Sequence, residues 1–152
     1  MHHTKTKADI GLTKVIADLT SKGYVPCIPL SEHQRYDLVA VGPEGWMFRL
    51  QVKFATLKKN ATIEVRFRRN WADKNGCYSV PYSVEEFDFY AVYCPQRDIV
   101  LYVPNKPNLP KAIRFSESAN SQERNVHWFH GYLTLERESS ETIRRTPEMA
   151  KT

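Results

Sequence analysis

Two short apolar runs separated by Gly42-Pro43-Glu44-Gly45 constrain this chain more than any other feature. Glycine and proline at that density interrupt regular structure, while the residues on either side favour extended backbone. Asp37-Leu-Val-Ala-Val41 is apolar and β-branched, and Trp46 to Phe54 returns as its partner, which predicts a β-hairpin. In the returning strand Met47, Leu50 and Val52 are apolar, while Arg49, Gln51 and Lys53 alternate with much of that set. Successive strand side chains point to opposite faces, so one side is polar and carries Gln51 and Lys53 together.

Upstream, Ile10, Leu12, Val15, Ile16 and Leu19 recur at spacings of three and four, which predicts a helix from about Ala8 to Lys22. Lys14, Asp18 and Lys22 fall largely on its other side, and Gly23 supplies the C-terminal stop. Tyr24 to Pro29 reads as a short extended piece interrupted by Pro26. Downstream, Ile63, Val65 and Phe67 alternate with Thr62, Glu64, Arg66 and Arg68, predicting a strand over Thr62 to Arg69, followed by a turn at Lys74-Asn-Gly76. Asp88 to Tyr93 and Asp98 to Val103 predict two more strands, and the prolines of Pro104 to Pro110 predict an irregular segment. The signal weakens from Ala112, and a polar tail begins at about 136. Helix, hairpin and further strands in that order imply a small α/β (α+β) domain spanning 1–152, with a central mixed sheet.

Composition narrows the class. A chain of 152 residues that is 41% hydrophobic supports one packed core. No apolar run approaches the roughly 18 residues of a membrane span, so no membrane partner is expected. Cys27, Cys77 and Cys94 are widely spaced, without a CxxC pair, which argues against a disulfide framework or structural zinc and for a cytoplasmic protein. The cysteines therefore read as packing residues, as do Trp46, Trp71 and Trp128. His127 and His130 have no visible third metal ligand and read as structural.

The stretch that carries chemistry is Tyr36-Asp37-Leu38-Val39, then the turn, then Leu50-Gln51-Val52-Lys53. An acid opens one strand, and a hairpin brings it beside an oxygen-bearing side chain and a lysine two positions apart on the paired strand. This arrangement resembles the PD-(D/E)XK nuclease superfamily, and its wording is similar to the cyanobacterial group I intron-encoded homing endonucleases. It is more distantly similar to archaeal Holliday-junction resolvases. The resemblance covers roughly residues 8 to 55. It implies a restriction-endonuclease-like core, in which an N-terminal helix and flanking helices surround the mixed sheet. It also implies that Asp37 takes the place of the first acid, Gln51 the (D/E) position, Val52 the X and Lys53 the lysine.

The resemblance implies a divalent cofactor, Mg²⁺ with Mn²⁺ able to substitute, and no organic cofactor. Asp37, Gln51 and the main-chain carbonyl of Val52 would be the ligands, with Lys53 beside the phosphate. Gln51 departs from the pattern because an amide offers a neutral oxygen but no charge. Many relatives also place a glutamate on the first helix where this chain has Leu12. Asp9, three residues earlier and near the same helical face, is the expected substitute.

Charge distribution points to the partner. The whole chain carries 22 Lys+Arg against 17 Asp+Glu, or +5. Between Arg49 and Lys74 alone, Arg49, Lys53, Lys58, Lys59, Arg66, Arg68, Arg69 and Lys74 face only Glu64 and Asp73, a balance of +6. A polar, Arg-bearing strand can enter a major groove as a β-ribbon, so Arg49, Lys58, Lys59, Arg66, Arg68, Arg69 and Lys74 are the expected contacts to double-stranded DNA. The expected function is a Mg²⁺-dependent, site-specific double-strand endonuclease of the homing type. A duplex has two strands, so the active form is expected to be a homo-oligomer, at least a dimer, and the resemblance to the homing endonucleases implies a tetramer as the other possibility. The alternatives are a structure-selective junction resolvase and a non-catalytic DNA-binding protein on a degenerate nuclease fold.

Overall fold

A computed structural model describes residues 3–117 and 124–136. Helix α1 spans His3–Ser21. It starts earlier than the apolar periodicity predicts because nothing in residues 3–7 breaks a helix. Gly11, Val15 and Leu19 are its buried positions, flanked by half-buried Leu12 and Ile16, whereas Ile10 turns to solvent. A Cβ at position 11 would meet Val52 at 3.4 Å, so glycine there lets the helix settle closely on the sheet. Gly23 (φ 84°) ends the helix: the Tyr24 N–H donates to the Leu19 carbonyl at 2.9 Å and the Gly23 N–H to the Thr20 carbonyl at 3.1 Å. This is the glycine-terminated pattern that satisfies the last helical carbonyls.

The remaining elements are β1 (Val25–Cys27), β2 (Leu38–Val41), β3 (Met47–Phe54), β4 (Thr62–Ile63), β5 (Arg68–Asp73), β6 (Gly76–Pro81), β7 (Phe89–Cys94), β8 (Ile99–Pro104), β9 (Ile113–Arg114) and β10 (His127–Trp128), then a 3₁₀ turn over Phe129–Tyr132. The main sheet has five strands in the order β1-β2-β3-β7-β8. Only β3 and β7 pair in parallel, so the sheet is mixed, as expected. Even-numbered residues of β3 (Phe48, Leu50, Val52, Phe54) pack beneath α1 with Phe89, Ala91 and Tyr93 of β7. The other sheet face buries Tyr90, Val92 and Cys94 under a second core that includes Ile63, Phe87 and Ile113. The predicted hairpin is present, with Leu38 opposite Leu50 and Val41 opposite Met47.

Several expectations need correction. Flanking helices are not found among the described residues, where the second sheet face is covered instead by loops and the short β10-β9-β4 sheet. Thr62–Arg69 is not one strand. Thr62 and Ile63 pair with β9, residues 64–67 form no ladder, and β5 begins at Arg68. The alternation there reflects side-chain burial alone: Val65 and Phe67 pack into the second core, with the Phe67 ring 4.5 Å from that of Tyr90. Thr62, expected on the polar side, is buried and donates to Asn60 Oδ1 at 2.6 Å. β6 was not anticipated; it joins β5 in a two-stranded ribbon that pairs with no other strand. Cys94 is buried as expected of a packing residue, but Cys27 and Cys77 are exposed. The polar tail lies mostly in residues 137–152, outside the described residues.

Candidate active site

Asp37 sits one residue before β2, where its N–H donates to the Leu50 carbonyl at 2.8 Å and extends the hairpin by one step. The β2 ladder ends there, so the Val52 main-chain N–H meets no strand on that side. The Asp37 carboxylate takes that place: Oδ2 accepts from the Val52 N–H and from Gln51 Nε2, each at 2.7 Å. The sequence thus brings Asp37, Gln51 and Val52 together through hairpin register alone.

Lys53 continues the Gln51 side of β3. Its Nζ donates to Tyr82 Oη at 3.1 Å and to the Arg68 carbonyl at 3.2 Å, and stands 4.8 Å from the centre of the Tyr82 ring. Burial pushes the Asp37 carboxyl above its ordinary range, partly offset by the Val52 N–H bond and the Lys53 charge. Burial also holds the Lys53 ammonium below its ordinary value, against the pull of Asp37. Both shifts have one cause, a site with little water to solvate either charge. The Tyr82 hydroxyl is pushed up to about 12 by burial and by the charges of Asp37 and Glu86, opposed by Arg35, so it keeps its proton across the physiological range.

Asp37, Val52 and Lys53 line a cavity of about 590 Å³ whose opposite wall is the first half of α1, including Asp9 and Leu12. Asp9 therefore faces the same space as Asp37. Among the described residues no group of three or more His, Cys, Asp or Glu side chains converges to hold a metal. The donors present are all oxygen: the Asp37 carboxylate, the Gln51 amide oxygen left over when Nε2 turns to Asp37, the Val52 main-chain carbonyl on the same strand edge as the N–H that meets Asp37, and Asp9 across the cavity. Such a set suits a hard divalent cation that retains several waters, and with little carboxylate charge it would hold one weakly.

The basic residues divide into different settings. Arg49 is part-exposed: its guanidinium bonds Asp88 at 3.3 Å and its main-chain N–H donates to the same carboxylate at 2.7 Å. Lys58 pairs with Glu64. Lys59, Arg66 and Lys74 are exposed. Arg68 reaches across the ribbon to Ser79 Oγ and the Ser79 carbonyl, both at 2.9 Å. On the other ribbon face, Arg69 lies 5.0 Å from the centre of the Trp71 ring, which stacks on Tyr78 at 5.2 Å. Trp71 is therefore an edge-packing residue, partly exposed on the ribbon between Tyr78 and Arg69. His127 Nδ1 bonds Tyr132 Oη at 2.8 Å and His130 stacks on Trp128, so both histidines serve the local fold.

Tyr82 was missed by sequence reasoning. It lies 29 positions from Lys53, beyond the ribbon, and no periodicity or motif connects the two.

A family model described as PD-(D/E)XK endonuclease matches residues 2–135. The chain belongs to the PD-(D/E)XK endonuclease family. Members of this nuclease family generally act with a divalent metal such as Mg²⁺. The solved structure of a bacterial homing endonuclease, I-Ssp6803I, matches with a TM-score of 0.67 and 25% identity over 99% of each chain. The fold is therefore restriction-endonuclease-like, as the hairpin and its lysine imply. No curated protein sequence matches the chain. No helix among the described residues is long and apolar enough to cross a membrane.

Proposed function

We propose that this PD-(D/E)XK protein is a Mg²⁺-dependent, site-specific double-strand DNA endonuclease of the homing type, encoded within a group I intron whose mobility it serves. The observation that carries this reading is the convergence of Asp37, Gln51 and Lys53 at the end of one hairpin, with Asp9 across the cavity. Bound Mg²⁺ or Mn²⁺ would supply charge neutralisation at the scissile phosphate and acidify a nearby water. Asp37, Gln51 and the Val52 carbonyl would hold the ion, and Asp9 would face it from α1. Lys53, two residues along from Gln51, would stabilise charge developing on the phosphate oxygens. The β5-β6 ribbon, with Arg66, Arg68, Arg69 and Lys74 on or beside it and Lys58 and Lys59 in the preceding loop, is suited to a DNA groove and its phosphates. Each chain carries one such site, so cutting both strands calls for a homodimer or tetramer. Its free cysteines fit a cytoplasmic setting.

The test is cleavage of a plasmid library of randomised inserts in Mg²⁺, with sequencing of the ends. Recurrent ends at one sequence, lost in Asp37→Ala and Lys53→Ala, support the reading. Cleavage of four-way junctions without sequence preference would favour a resolvase. DNA binding without cleavage in any divalent metal would favour a degenerate fold, for which the uncharged Gln51 is the specific argument.

A further inference from the structure

Lysine is a flexible four-carbon stem with three rotatable N–H donors, so its use at a phosphate depends on what fixes the amine. In this protein two acceptors do so, Tyr82 Oη at 3.1 Å and the Arg68 carbonyl at 3.2 Å, which leaves one N–H for a substrate.

We propose that Tyr82 is a positioning residue for Lys53, holding its amine on a rigid post built from the segment that follows the ribbon. This rests on the reading of Lys53 as the lysine of the nuclease site. The post is braced in two ways. The Tyr82 ring meets Phe87 edge-on at 5.1 Å and Tyr90 at 5.9 Å, so the second core fixes its plane. Directly after it, the Ser83 N–H donates to Glu86 Oε2 at 2.7 Å, and Asn105 Nδ2 donates to the carbonyls of Ser83 at 2.9 Å and Phe87 at 3.0 Å. Asn105 is buried, so the backbone carrying Tyr82 is tied into the body of the protein. The two acceptors of Lys53 also flank the ribbon: Arg68 is the first residue of β5, and Tyr82 follows the last residue of β6. The amine thus stands at the ribbon's foot, and its position is set by the same residues that set the ribbon's.

The experiment compares wild type with Tyr82→Phe, which keeps the ring, its packing and the cation–π contact but removes the hydroxyl. The first readout needs neither DNA nor metal: exchange of the Lys53 Nζ protons, followed by ¹⁵N NMR at one fixed pH. Loss of one hydrogen bond to the ammonium should speed exchange about tenfold while the variant still unfolds in a single cooperative transition. The second is steady-state cleavage of the selected duplex, where kcat should fall about tenfold while KM stays within about twofold. Unchanged exchange in Tyr82→Phe overturns the proposal, as does unchanged kcat. A wild type that cleaves nothing would defeat the nuclease reading instead, and the exchange measurement would still decide whether Tyr82 holds the amine.

Discussion

The main-chain N–H of Val52 donates to Oδ2 of Asp37 at 2.7 Å, at the point where the β2–β3 ladder runs out. A carboxylate thus completes a strand's hydrogen bonding while its charge is kept in a poorly solvated place. Asp37→Asn preserves an acceptor for that N–H and removes the charge. Cleavage should fall by about 100-fold or more, because charge stabilisation at the phosphate depends on it. Stability should respond in the opposite sense. The folded pKa of Asp37 is raised above the ordinary 3.8, so its contribution to stability is present below that value and lost as pH rises through the folded pKa. In metal-free buffer at pH 7 the variant should therefore melt higher than wild type, with the gap closing toward pH 3. Thermal unfolding across that range checks the sign, and a variant that melts lower at pH 7 would contradict it.

Gln51→Glu restores charge to the (D/E) position. It also loses the amide donor that now serves Asp37 at 2.7 Å and sets two carboxylates side by side. The metal-free variant should be less stable, with a raised carboxyl pKa in the pair. Added Mg²⁺ should stabilise it more than it stabilises wild type, with affinity tighter by about tenfold, because ligand charge count sets affinity for hard cations. Calorimetric titration with Mg²⁺ measures this, and equal affinities in the two proteins would remove Gln51 from the ligand set.

The exposed cations and Arg49 should behave differently on DNA. Arg66→Ala and Lys74→Ala should each reduce the log–log salt dependence of duplex binding by about 0.9, the effect of one phosphate contact. Arg49→Ala should leave that slope unchanged, since Asp88 already holds its guanidinium. It should instead lower stability by up to about 1 kcal/mol, the range for a part-exposed ion pair. Binding isotherms at several salt concentrations separate the two behaviours, and a changed slope in Arg49→Ala would place that residue in the footprint.

Lys14 on α1 bonds Asp98 in the β7–β8 turn at 2.8 Å, and the pair gives stability a defined pH window. The hydrogen bond from Lys14, then that from Tyr93, holds Asp98 below 3.8, so its contribution is present above that value and lost as pH falls through the folded pKa. The same bond raises Lys14 above 10.5, so its contribution is present below that value and lost as pH rises through the folded pKa. Lys14→Met should therefore destabilise modestly between 3.8 and 10.5 and converge with wild type outside that window. Urea unfolding at acid and neutral pH is the measurement, and an equal deficit at both would sink the assignment.

How much was legible in the sequence follows from the range of the interactions. Asp37, Gln51 and Val52 meet because a four-residue turn fixes one register between neighbouring strands, and both strands and turn announce themselves locally. Helix α1 was readable for the same reason, apart from its first turn and Ile10. The β5-β6 ribbon was not. Its residues are almost all exposed, so no apolar alternation marks them, and it is held by cross-strand pairs such as Trp71 with Tyr78. The contact of Tyr82 with Lys53 and that of Asp88 with Arg49 both depend on β7 arriving parallel to β3, a long-range event with no local trace. The apparent strand over Thr62 to Arg69 misled because alternating burial does not require a ladder.

The parallel pairing of β3 with β7 leaves residues 55–88 as a single excursion that departs beside the lysine strand and returns to it. The ribbon hangs from this excursion and contributes no strand to the main sheet. The register that assembles Asp37, Gln51 and Lys53 therefore takes no ladder hydrogen bond from residues 70–79. The ribbon and the strands that carry Asp37, Gln51 and Lys53 are thus separately hydrogen-bonded modules, joined at Lys53, whose amine bonds both the Arg68 carbonyl and Tyr82 Oη.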